Sequence, residues 1–140
     1  MKTIGHVMVT GVVNLIKTDD VHHARMLMKE KNIRHIPVLS EKNGTLLGVI
    51  TQHSLLNNAF NVVEKYGLGK LEKKERQTHV SQIMRTDCET VASDTDIELV
   101  CEAFLKKKYS YLLIVDDEKL VGIVTSVDFV KLSLHLLQNT

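Results

Sequence analysis

The chain has 140 residues, of which 44% are hydrophobic and 25% charged, so it can bury one core, or two intimate halves, and is too apolar for a disordered segment. Eighteen Lys and Arg against 17 Asp and Glu leave a net charge of +1, with no basic excess of the kind nucleic-acid binding draws on, so nucleic acid is not an expected partner. No apolar run approaches the roughly 20 residues of a membrane span and Met1 to His6 lacks the apolar core of a secretion signal, so a cytoplasmic protein with no membrane partner is expected.

The dominant feature is an internal repeat. Residues from Val7 laid over residues from Ile83, a constant offset of 76, match Val7-Met8 with Ile83-Met84, Thr10 with Thr86, and Asp20-Val21 with Asp96-Ile97. In chain order, the first copy opens with a short strand and then Val21, Ala24 and Met28, an i, i+3, i+7 stripe that marks the buried face of a helix. An apolar strand from Ile33 to Leu39 follows, then the turn signal Asn43-Gly44, a second strand Leu46 to Thr51, and a closing helix of about Thr51 to Tyr66 with Leu55, Leu56, Ala59 and Val63. Residues 67–79 open with Gly67-Leu68-Gly69 and continue with mixed charges, which predicts a solvated linker.

The second copy, residues 80–140 against 1–66 for the first, repeats the order. Its stripe is Ile97, Val100 and Phe104, its strands run from Tyr109 to Val115 and from Leu120 to Thr125 around the turn Asp116 to Lys119, and its closing helix spans about Thr125 to Gln138 with Phe129, Val130, Leu134 and Leu137. Each copy therefore reads strand, helix, strand, strand, helix. One such unit buries too little alone, which predicts an α+β fold of two βαββα repeats packed sheet to sheet about a pseudo-twofold axis in one compact module.

The segments that recur most closely are Gly48-Val49-Ile50-Thr51-Gln52-His53-Ser54 and Gly122-Ile123-Val124-Thr125-Ser126-Val127-Asp128, together with Arg34-His35-Ile36-Pro37-Val38. They resemble the signature of the CBS (cystathionine-β-synthase-like) domain, and the resemblance covers both halves, about 120 residues. It implies a tandem pair, or Bateman module, whose clefts between repeats hold AMP, ADP, ATP or S-adenosylmethionine, and which commonly dimerises face to face. Leu113 replaces Pro37 of the first copy, a small departure from the pattern.

By that resemblance Thr125 and Asp128 reach the ribose hydroxyls, with Val13, Ile33, Arg34 and His35 near the adenine or phosphates and Ile123 beneath the base. The chemistry suits the assignment: an ionised Asp offers only acceptors and takes two ribose O–H groups, while a guanidinium forks onto phosphate oxygens and a histidine adds charge near neutral pH. A second cleft would join Val49, Thr51 and Ser54 to Tyr109, Ser110 and Tyr111, and is expected to bind weakly because Ser54 stands where the family has Asp. Each assignment has a plainer rival. Thr-x-x-Asp is also a helix capping box, Arg34-His35 could be an exposed strand end, and Tyr109 or Tyr111 could pack against neighbouring strands instead of stacking on a base.

No nucleophile with its base and no pair of placed carboxylates is recognisable, so no catalysis and no catalytic residue is expected. His22 and His23 are adjacent, about 100° apart on a helix, and the other histidines are scattered, which argues against a metal site. Cys88 and Cys101 have no CxxC spacing, which argues against a disulfide framework or zinc knuckle. The reading is a regulatory module with no obligatory cofactor, an adenine nucleotide as ligand, a separate protein as partner and a homodimer as its form. The alternatives are a ligand-free interaction module or an S-adenosylmethionine binder.

Overall fold

The boundaries of the elements follow from their caps. In the computed structural model, which describes residues 2–140, helix α1 (Val21–Lys31) starts at Asp20, whose Oδ1 accepts the His23 N–H at 2.8 Å, and stops at Asn32 in the left-handed conformation, φ 53°. Helix α4 (Ile97–Lys107) starts at Asp96, which accepts the Glu98 N–H at 3.0 Å, and stops at Lys108 with φ 54°. The same cap chemistry recurs 76 residues on, so the repeat holds in the backbone as well as in the apolar pattern.

Strands β1 (Leu15–Ile16), β2 (His35–Leu39) and β3 (Leu46–Thr51) form one sheet in the order β1-β2-β3. Strands β4 (Thr90–Val91), β5 (Tyr111–Asp116) and β6 (Lys119–Thr125) form another in the order β4-β5-β6. In each the first pair is parallel, bridged by a helix, and the second is an antiparallel hairpin. The hairpins turn differently: β5 and β6 meet through Asp117 and Glu118, both at positive φ as a two-residue turn requires, whereas the longer β2–β3 turn uses Gly44 at φ 71° and the Asn43 Oδ1, which accepts from Thr45 and Ser40. The closing helices are α2 (Gln52–Tyr66) and α5 (Ser126–Gln138).

The chain forms two compact units, residues 13–88 and residues 1–12 with 89–140. The segment ahead of each repeat therefore belongs to the unit of the other. In the unit of residues 13–88, Arg85 exchanges both main-chain hydrogen bonds with Val49 at 2.9 Å, and Met84 lies so close to Gly48 that a Cβ there would sit 2.8 Å from its sulfur and 2.6 Å from the Arg85 carbonyl. In the other, Val9 exchanges both bonds with Ile123 at 2.9 and 3.1 Å, and a Cβ on Gly122 would sit 2.5 Å from the Met8 sulfur. The repeated Gly-apolar-apolar-Thr thus opens with glycine because a second backbone crosses the strand there.

One core gathers Leu15, Val21, Met28, Ile36, Ile50 and Leu55, the other Ile4, Val100, Leu112, Ile114 and Val124. Residues 67–79 depart from the expectation of a solvated linker. They form a 3₁₀ turn, Leu68–Lys70, and a helix, α3 (Leu71–Arg76), whose Glu75 is 1% exposed. The Glu75 carboxylate takes Arg25 of α1 on both oxygens, at 2.6 to 3.0 Å, and His22 approaches at 3.6 Å. Composition predicts a connector because it cannot tell which one of several charges has its partner 50 residues away.

Candidate functional site

The candidate residues fall into two sets, one in each unit. In the unit holding the second repeat, β6 runs straight into α5. Thr125 is the extended residue before the helix, and Asp128 sits in the first turn, half-buried. The Asp128 Oδ2 accepts the Thr125 N–H at 2.8 Å and its hydroxyl at 3.3 Å. This is the carboxylate arm of a capping box, yet both bonds fall on one oxygen, so the cap leaves Oδ1 to other donors. Thr125 lies opposite Tyr111 in the hairpin register and Ile123 opposite Leu113, so Tyr111, Thr125 and Asp128 share one end of the sheet, with Ile123 two residues back along β6.

Ser110 is exposed just ahead of β5. Tyr109 belongs to the packing of its own unit. Its ring meets Phe104 edge-on at 5.9 Å, Phe104 meets Phe129 at 5.3 Å, and all three pack against the buried cluster.

In the other unit the matched end of the sheet carries Arg34, His35, Thr51 and Ser54. His35 lies opposite Thr51, and the Arg34 carbonyl accepts the Gln52 N–H at 3.0 Å, which ties the start of α2 to the start of β2. The Arg34 side chain is exposed and His35 half-buried. Burial, reinforced by the Arg34 charge, lowers the His35 pKa from 6.5. The ring is therefore neutral near pH 7, and the positive charge at this end rests on Arg34 rather than being shared with His35.

Thr51 and Ser54 close a complete capping box. The Thr51 Oγ1 accepts the Ser54 N–H at 3.0 Å, the two hydroxyls bond at 2.9 Å, and Ser54 Oγ takes the Thr51 N–H at 3.4 Å. A hydroxyl has one oxygen, so the cap engages all of Ser54 where it engages half of Asp128. Val49 is buried opposite Pro37, and Val13 and Ile33 pack half-buried against the core. The residues missed by sequence reading are the crossing pair, Val9 beside Ile123 and Arg85 beside Val49. Their signal was present in the matched Val7-Met8 and Ile83-Met84, which begin each copy yet cross onto the other.

Among the described residues no three His, Cys, Asp or Glu side chains gather as a metal cage, Cys88 and Cys101 are free thiols, and no helix is long and apolar enough to cross a membrane.

Comparison with known proteins agrees with this architecture. A putative acetoin utilization protein (AcuB) from Vibrio cholerae superposes with a TM-score of 0.83 at 28% identity, covering 99% of this chain and 94% of its own. CBSX2, whose crystal structure is a complex with AMP, superposes with a TM-score of 0.80 at 29% identity, covering 97% and 98%. Among curated sequences, the uncharacterized protein MJ1225 of Methanocaldococcus jannaschii is 29% identical over 127 residues, 86% of this chain but 45% of that protein. The chain thus spans less than half the length of that relative. The CBS domain model matches twice, over residues 4–61 and 80–135, and the chain belongs to the CBS domain family as a tandem pair.

Proposed function

We propose that this CBS pair is a regulatory module that binds an adenine nucleotide, AMP, ADP or ATP, and hands the bound state to a separate protein without catalysing a reaction itself. The observation that carries the reading is Asp128. Its carboxylate stands at the end of β6 with Oδ2 engaged by Thr125 and Oδ1 outside the cap, which suits a vicinal diol. In the unit of residues 13–88, Arg34, exposed at the start of β2, is the phosphate ligand in this reading, with His35 beside it as a neutral ring. The AMP complex of the similar CBSX2 supports the choice of ligand class. A signal requires the ligand to bind one conformation more tightly than another, and the partner to distinguish them.

Val49, Thr51 and Ser54 in one unit, and Tyr109, Ser110 and Tyr111 in the other, are the weaker ligand residues in this proposal, because Ser54 is engaged by its cap and Tyr109 by Phe104. The test is calorimetric titration of nucleotide-free protein with AMP, ADP, ATP and S-adenosylmethionine. Saturable binding of an adenine nucleotide supports the reading, and preference for S-adenosylmethionine moves it to that alternative. Steady turnover of ATP would overturn it.

A second reading has its own observation. Helix α5 buries none of its residues and exposes Val127, Val130, Leu134 and Leu137, at 54% to 75%, along one stripe. We take this stripe as the contact of a homodimer in the cytoplasm. A monomer in light scattering, unchanged by Leu134→Glu, would refute it.

A further inference from the structure

The geometry points to the turn joining α2 to α3 as a docking surface for an acidic protein segment that carries apolar side chains. Assigning that segment to the regulated partner rests on the regulatory reading above. Leu68 is 73% exposed and Tyr66 44% at this turn. Gly67, at φ 87°, turns the chain out of α2, and a methyl placed on Gly67 or Gly69 would meet nothing within 4 Å, so Leu68 stands clear on both sides. The Lys74 ammonium lies 4.1 Å and the Lys65 ammonium 5.3 Å from the Tyr66 ring centroid, which sets a cation-contacted aromatic side chain two residues before the exposed leucine.

The charge around it is net positive. Residues 64–76 carry five cations, Lys65, Lys70, Lys73, Lys74 and Arg76, against Glu64, Glu72 and Glu75, a net of +2 in a chain whose total is +1. Two of the three carboxylates are already matched: Glu75 is buried on Arg25, and Glu72 lies 3.7 Å from Arg76. None of the ion pairs among the described residues engages Lys65, Lys70 or Lys73. A rigid aromatic and an aliphatic side chain inside a rim of unmatched charge is the anatomy of a protein interface, and the sign of the rim selects a partner rich in Asp and Glu. An anionic membrane has the same sign. Against it, four lysines at about 1 kcal/mol each amount to about millimolar adsorption, and stable anchoring needs a second lipid-directed signal.

The test is an amide-shift titration of isotope-labelled protein with a short synthetic peptide of mixed Glu and Leu, beside the same peptide with Lys in place of Glu. Expected are saturable shifts confined to residues 64–76 with the Glu peptide only, weakened as ionic strength rises. Protein carrying L68S with K65E and K70E should lose about tenfold or more in affinity. Absence of shifts, shifts mapping elsewhere, equal binding of both peptides, or adsorption to phosphatidylglycerol vesicles without peptide binding would overturn the proposal. The substituted side chains are exposed, so the variant should keep its fold and its AMP titration. That titration reports separately on the nucleotide reading.

Discussion

The two units are built from one plan and finished differently. In each, two strands run parallel around a helix, a hairpin follows, a crossing segment seals the last strand over a glycine, and a closing helix starts at a threonine. The unit of residues 13–88 then adds α3 and fastens it with a buried ion pair. In the other unit, Cys101 stands where Arg25 does in the first, and Asp128 stands where Ser54 does. The first unit thus places its distinctive charge inside a helix contact, and the second at the open end of its sheet. The repeated residues set the strand order, the glycine crossings and the threonine starts of the closing helices, while the differing ones give each unit its own placement of charge.

Breaking the ion pair should give the largest effect. Arg25→Ala leaves the Glu75 carboxylate buried and uncompensated, and should lower stability by about 3 to 5 kcal/mol in denaturant unfolding. Arg25→Ala with Glu75→Leu should recover most of it. Cys101→Ala, at the matched position, should shift stability by less than about 1 kcal/mol. Equal losses at the two positions would erase the distinction between the units.

The crossing glycines come next. Gly48→Ala drives a methyl to 2.6 Å from the Arg85 carbonyl, which is backbone, while the nearest atoms to Gly122→Ala are the Met8 sulfur and Cγ, the end of a flexible side chain, with the Val9 carbonyl at 3.0 Å. The first should cost about 3 kcal/mol and the second about 1 to 2 kcal/mol, read from melting curves. Gly122→Ala as the more damaging of the two would mean that the Met8 arm is the more rigidly held.

The carboxylate difference is sharpened by Asp128→Asn. An amide oxygen can still accept the Thr125 N–H, so the melting temperature should move little, whereas the diol loses its ionic acceptor and nucleotide affinity should fall about tenfold or more. Ser54→Asp places a carboxylate in the first turn of α2 and should raise stability by up to about 1 kcal/mol.

Acid separates the units with the smallest effect. The His35 pKa is lowered by burial and by Arg34, so the unfolded chain takes up the proton first. The stability this residue contributes is full above pH 6.5 and is lost as pH falls from there through the depressed folded value. Asp116 has the opposite chemistry: hydrogen bonds from the Ser93 hydroxyl and N–H, at 2.6 and 3.0 Å, lower its pKa from 3.8. Its contribution persists until pH falls below the ordinary carboxylate range. Mild acid should therefore loosen residues 13–88 first, seen as faster amide exchange there, and His35→Gln should flatten that response. Identical pH profiles for the two units would contradict it.

Much of this was legible in the sequence because it is local. The helix stripes, the hairpin turns and the order of the strands are written in spacings of one to seven residues, and the internal repeat reads the stripes and the strand order twice. What remained hidden is long-range. The assignment of residues 1–12 to the unit of the second repeat follows from Val9 pairing with Ile123, more than a hundred residues away. The contact that fastens the helix in 67–79 comes from Arg25, 50 residues from Glu75, and the lowered His35 pKa comes first from burial, neither of which has a local signature. At Asp128 the structure shows the capping reading, with both cap bonds on one carboxylate oxygen.

The measurement that bears most directly on the central claim is calorimetric titration of AMP into nucleotide-free protein, wild type beside Asp128→Asn, with the melting temperature of each recorded. The account predicts saturable binding at one dominant site per chain, weakened about tenfold or more in the variant while its fold stays intact. Absence of binding to the wild type, or equal affinity in both proteins, would contradict it.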